Sequence, residues 1–81
     1  MMQQFNQTMD YLEQQLTGEV EMKRFQQLSG YSYPLFSRLF SILADMTLAE
    51  YLRNRRLSAA VTDLRESSEK VIDIALKYGY D

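Results

Sequence analysis

The chain has no cysteine and no histidine. The first absence removes disulfides and thiolate chemistry. The second removes the usual general base, and together they remove most zinc sites. A cysteine-free chain fits a reducing compartment. No apolar run approaches the roughly 20 residues that cross a bilayer. The first residues, Met-Met-Gln-Gln-Phe-Asn, lack the basic and apolar regions of a signal peptide. The expectation is a cytoplasmic protein with no membrane partner. No glycine-rich phosphate loop, nucleophile–base pair, carboxylate dyad or EF-hand spacing can be found, so neither an enzyme nor a cofactor is expected.

Glycine occurs three times and proline once, and these four positions punctuate the chain. With 81 residues there is room for one small domain. A domain of this size buries roughly 60% of the surface its unfolded chain exposes, so the core is modest. The formal net charge of −2 argues mildly against a nucleic-acid partner. The distribution argues the other way. From Lys23 to Arg56 there are six cations (Lys23, Arg24, Arg38, Arg53, Arg55, Arg56) against two anions (Asp45, Glu50). A local excess of positive charge, not the total, sets the field that a phosphate backbone meets.

Periodicity predicts an all-α chain. Phe5, Met9, Leu12 and Leu16 mark a packing helix ending near Gly18. Met22, Phe25 and Leu28 mark a short second helix, with Glu21 at the cap position, where its charge suits the positive helix end. Gly30 turns the chain, Ser32 caps a third helix, and Pro34 falls in the first turn, where a missing N–H costs nothing. Leu35, Phe36, Leu39, Phe40, Ile42 and Leu43 form the apolar face of that helix, to about Ala44. Tyr33, Pro34, Ser37, Arg38 and Ser41 form the other. After Asp45-Met46, Thr47 caps the longest helix, about Leu48 to Glu66, with Leu48, Tyr51, Leu52, Leu57, Ala60, Val61 and Leu64 as its buried stripe. Ser67 and Ser68 stop it and can cap a fifth helix, about Val71 to Tyr78, with Val71, Ile74, Ala75 and Tyr78 inward.

Short helix, glycine turn and second helix with a small, polar outer face form the pattern of a helix-turn-helix recognition element. The pattern begins to repeat. At an offset of 49 residues, Met22 faces Val71, Phe25 faces Ile74, Gly30-Tyr31 faces Gly79-Tyr80, and Ser32 faces Asp81. By that register Asp81 caps a second recognition helix that would follow it. The chain therefore reads as a first unit (residues 1–46), a linker helix (47–67) and the first part of a second unit (68–81).

Arg38 can reach guanine O6 and N7 bidentately, or it is a solvated arginine. Tyr33 can touch a thymine methyl or a phosphate, or it is a surface tyrosine. Arg53, Arg55 and Arg56 suit phosphate contact or a solvated face. They cannot all point one way, because consecutive helical residues lie about 100° apart.

Leu28-Ser-Gly-Tyr-Ser32, Phe36-Ser-Arg-Leu-Phe40, Tyr51-Leu52 with Arg56-Leu57 and Ala60, and Ile72-Asp-Ile-Ala-Leu-Lys-Tyr-Gly-Tyr80 together resemble the DNA-binding domain of AraC/XylS transcription regulators. The resemblance covers nearly the whole chain. It implies a homeodomain-like helix-turn-helix, a long linker helix and the first helix of a second helix-turn-helix, on double-stranded DNA. It implies base contact at Pro34, Ser37 and Arg38 with Tyr33 beside them, and contact with RNA polymerase when the regulator activates. Phosphate contacts are expected at Ser32, Arg53, Arg55 and Arg56. Two departures bear on packing. Gln26 stands where the family has a small alanine and must turn outward or loosen the helix pair. Asp45 stands where the family has glycine, which weakens that cap. A rival reading is a helical interaction module that dimerises or binds a protein through Val71 to Tyr80, with Ile74 and Tyr78 partly uncovered.

Overall fold

The computed structural model describes residues 2–80. Within them lie five helices and no strand: α1 Met2–Gln14, α2 Met22–Ser29, α3 Tyr33–Ala44, α4 Leu48–Glu66 and α5 Val71–Lys77. The all-helical, homeodomain-like arrangement expected from the sequence is the one observed.

The starts and stops follow from cap chemistry. The Ser32 hydroxyl accepts from the Leu35 N–H at 3.4 Å, and the Thr47 hydroxyl accepts from the Glu50 N–H at 3.0 Å. Each satisfies one orphan donor at a helix start. Gly30 closes α2 at φ 78°, a left-handed conformation that glycine takes without steric cost. Ser29 braces the turn. Its Oγ donates to the Tyr31 carbonyl at 2.9 Å and accepts from the Tyr31 N–H at 3.0 Å. The cap of α5 differs from expectation. Lys70 holds the position, with no side-chain bond. Ser67 is occupied by Glu69, whose N–H donates to its Oγ at 3.0 Å. The predicted capping role of Asp81 lies outside the described residues.

Two separate cores form. The larger gathers Leu12, Leu16, Phe25, Phe36, Phe40, Leu48 and Leu52. Aromatic rings fill its centre, Phe25 against Phe36 edge-on at 5.1 Å and Phe5 stacked on Phe36 at 5.6 Å. The smaller contains Ala60, Ile74 and Tyr78. Half-buried Ala59 touches both. One helix, α4, therefore carries the chain from one core to the other.

Several residues expected inside lie outside. Leu57, Val61, Leu64 and Val71 are exposed, as are Met22, Leu35, Ile42 and Leu43. Periodicity locates an apolar face, but burial needs an element packed on it, and no element of the described chain covers these. The exposure that the rival reading expects at Ile74 and Tyr78 is not found, since Ile74 is 1% exposed and Tyr78 is buried, while Val71, Ile72 and Leu76 of the same stretch are exposed. The Tyr78 hydroxyl donates to Asp63 Oδ2 at 2.7 Å. Gln26 turns outward, as it had to if the helices were to pack closely.

The repeat is real in three dimensions. Phe25 and Ile74 are fully buried partners by register, at 0% and 1% exposure. Gly30 and Gly79 share the left-handed conformation, at φ 78° and 86°. Tyr31 and Tyr80 are equally exposed, at 39% each.

Candidate nucleic-acid interface

The position of α3 is set by what it buries. Phe36 and Phe40, four residues apart, face the core. Residues pointing the opposite way must therefore reach solvent. Pro34, Leu35 and Arg38 do, and with Ser32 they line one shallow cleft at the start of the helix. Among the described residues no carboxylate lies within ion-pairing distance of Arg38. Its guanidinium is free to meet an outside acceptor.

The predicted base-contact set is partly dispersed. Tyr33 is half-buried, and its ring packs against Phe25 at a centroid distance of 5.1 Å. Ser37 is half-buried beside the outer face, and its carbonyl accepts from Ser41 Oγ at 2.9 Å. Leu35, which periodicity leaves ambiguous between the two faces, belongs to the outer one. Its place at the border of the two faces was the signal. Lys23 and Arg24 on α2 are exposed and form no ion pair among the described residues. The charge count included them, but no motif singled them out.

The basic cluster on α4 divides in three. Arg53 is exposed, with no ion pair among the described residues. Arg55 turns to α1, where its Nε donates to both carboxylate oxygens of Glu13 at 3.0 and 3.2 Å and its Nη2 donates to Oε1. That hydrogen-bonded guanidinium holds the Glu13 carboxyl below its ordinary pKa and raises that of Arg55. Arg56 Nε donates to the Leu16 carbonyl at 3.2 Å, just beyond the end of α1. Both groups expected on phosphate therefore have partners within the fold.

At the far end, the Tyr78 hydroxyl and then the Lys77 ammonium hold the Asp63 carboxyl below its ordinary value. Among the described residues no cluster of acids suits a metal ion, and no helix is long and apolar enough to cross a membrane.

The Helix-turn-helix domain family matches residues 25–81. The chain is 38% identical over 71 residues to the HTH-type transcriptional activator AarP of Providencia stuartii, covering 88% of this chain and 53% of that protein. It is 37% identical over 71 residues to the regulatory protein SoxS of Salmonella typhimurium, covering 88% of this chain and 63% of that protein. With the multiple antibiotic resistance protein MarA of the same bacterium it shares 27% over 73 residues, 90% of this chain and 58% of that protein. The chain thus spans between half and two thirds of these relatives. With the end of α2 and all of α3 through α5 inside the matched segment and the paired glycine turns in place, the chain belongs to the AraC/XylS family of helix-turn-helix transcription regulators.

Proposed function

We propose that this chain binds double-stranded DNA sequence-specifically, with α3 in the major groove and Arg38 reading a base. The observation that carries this is the outer face of α3, where an unpaired Arg38 stands beside Pro34 and Leu35 at the helix start. An arginine there suits bidentate contact with guanine, while Leu35 and Pro34 suit a thymine methyl. Ser32, with the first N–H groups of α3, and Arg53 on α4 suit phosphate and set register. Ser37 lies at the margin of the contact. Tyr33 acts through packing, holding the start of α3 on Phe25.

The chain divides under this reading into a first unit (1–46), a linker helix (47–67) and the beginning of a second unit (68–81). An apolar groove lined by Leu57, Val61, Leu64, Val71, Ile74 and Tyr80 seats a second recognition helix in the whole protein. The repeat supports this, because the same register in the first unit is filled by α3. Transcription activation and contact with RNA polymerase belong to the whole protein on the same reading.

Anisotropy titration with a labelled duplex tests it. Non-specific affinity is expected on the order of 10⁻⁴–10⁻⁶ M at physiological salt, falling steeply between 50 and 200 mM. Equal affinity at both salts, or none, rejects the proposal. In selection from random duplexes, Arg38→Ala is expected to lose about 1–3 kcal/mol of preference at one base pair. Its Tm should be unchanged, because the side chain is exposed and forms no ion pair among the described residues.

A further inference from the structure

We infer that Glu13 and Arg55, assisted by Arg56, are positioning residues for DNA recognition. They fix the angle between the first helix-turn-helix and the α4–α5 arm. This rests on the reading just given, in which both parts of the molecule address one duplex. Three observations carry it. First, the large core holds the start of α4 through Leu48 and Leu52, and the small core begins at Ala60. The stretch between them is the joint of the molecule. Second, both inward-turned arginines lie in that joint, and both grip the same end of α1. Arg55 takes the Glu13 carboxylate through Nε and Nη2, and Arg56 takes the Leu16 carbonyl. Because neighbouring residues diverge by about 100° on a helix, two such contacts restrain roll as well as tilt. Third, the carbonyl that Arg56 takes lies just past the end of α1, where helical partners have run out.

The lever is long. A 10° change in the tilt of α4 about Arg55 moves Glu66, roughly 16 Å along the axis, by about 3 Å. That is as large as a hydrogen bond is long, so whatever α5 presents to a second groove segment is misplaced. The planar guanidinium fork is suited to this use, because two parallel donors on one carboxylate fix orientation as well as distance.

This assignment and the phosphate-contact role for Arg55 predict opposite signs. If Arg55 sat on phosphate, Glu13→Gln would free it, remove a nearby negative charge and tighten DNA binding. Arg55→Met would then lower the slope of log K against log salt by about 0.9. As a positioning pair, Glu13→Gln and Arg55→Met each weaken binding by about threefold to tenfold. The double variant is then no weaker than either single one, and the salt slope stays unchanged. A tighter Glu13→Gln, or a reduced slope for Arg55→Met, overturns the inference.

A second readout needs no DNA. The chain has no cysteine, so spin labels at Lys23→Cys on α2 and Asp73→Cys on α5 report one distance across the joint. Glu13→Gln with Arg56→Met is expected to broaden that distribution about twofold. The swap Glu13→Arg with Arg55→Glu, in which the pair is remade, is expected to keep it narrow. An unchanged distribution in the broken variant overturns the inference, even if the chain binds no DNA. A broadened distribution with no DNA binding by any form leaves the joint as described and removes the function proposed for it.

Discussion

Asp45 is the residue where local chemistry and fold disagree. It ends α3 at φ 58°, the only non-glycine in the left-handed region among the described residues. An L-residue there costs roughly 1 kcal/mol, somewhat less for Asp and Asn. It also places a negative charge at the C-terminal, negative end of the helix. Gly30 and Gly79 solve the same geometric problem without strain. Asp45→Gly is therefore expected to stabilise the fold by about 0.5–1 kcal/mol, after allowance for the greater freedom of glycine in the unfolded chain. In a domain of this size that raises Tm by roughly 3–6 °C. A lowered Tm in a thermal melt would show that the Asp45 side chain does more than tolerate its backbone.

Among elements, α5 depends on a polar brace as much as on its core. Of its seven residues only Ile74 is buried, and beside it the Tyr78 hydroxyl and Lys77 ammonium both bond Asp63 Oδ2, at 2.7 and 3.0 Å. The Asp63 carboxyl is held below its ordinary value, by Tyr78 first and Lys77 next. A carboxyl depressed in the folded state contributes stability above its unfolded pKa, about 3.9. That contribution is lost as pH falls through the folded value. Glu13, depressed by Arg55, acts in the same direction. The Tm is thus expected to hold from pH 7 to about 4 and then fall, and Asp63→Asn should flatten part of that fall. Matching acid profiles for the two proteins, followed by circular dichroism, would show that the brace carries no linkage.

Elements were the most legible feature of the sequence. Ser32, Pro34, Gly30 and Thr47 announce their helices because capping and turn chemistry act within four residues. The bounds of α3 and α4 follow directly. Partners distant in sequence were illegible. Nothing local says that Arg55 meets Glu13, 42 positions away, or that Tyr11 Oη accepts from the Glu21 N–H at 3.0 Å. The inward stripe of α4 was read too wide for the same reason. Leu57, Val61 and Leu64 have the right spacing, but burial depends on a neighbour the stripe itself does not encode. The candidate interface was legible at Pro34 and Arg38, whose opposites Phe36 and Phe40 fix the outward face. It is less legible at Tyr33 and Leu35, which sit near the boundary between the faces.

At the scale of the whole molecule, the two cores are unequal, and stability should follow. The larger holds seven buried residues, four of them from α3 and the start of α4. The smaller holds three, with Leu57, Val61 and Val71 exposed around it. Local opening free energy scales with buried apolar contact, so α5 belongs to the least stable part of the fold. Unfolding α5 exposes little more than Ile74, Tyr78 and the underside of α4. Opening the first unit exposes the aromatic cluster around Phe25 and Phe36. Native-state hydrogen exchange is expected to place the amides at the α5 end, such as that of Tyr78 just past the helix, at least about 2 kcal/mol below those of Phe40 and Leu52. The amides at the start of α4 should group with the first unit and those near Ala60 with α5, dividing the long helix at the joint held by Glu13, Arg55 and Arg56. One common opening energy for all five helices would mean that α4 couples the cores into a single unit. On the expected pattern, the α5 end opens locally at a lower free energy than the first helix-turn-helix.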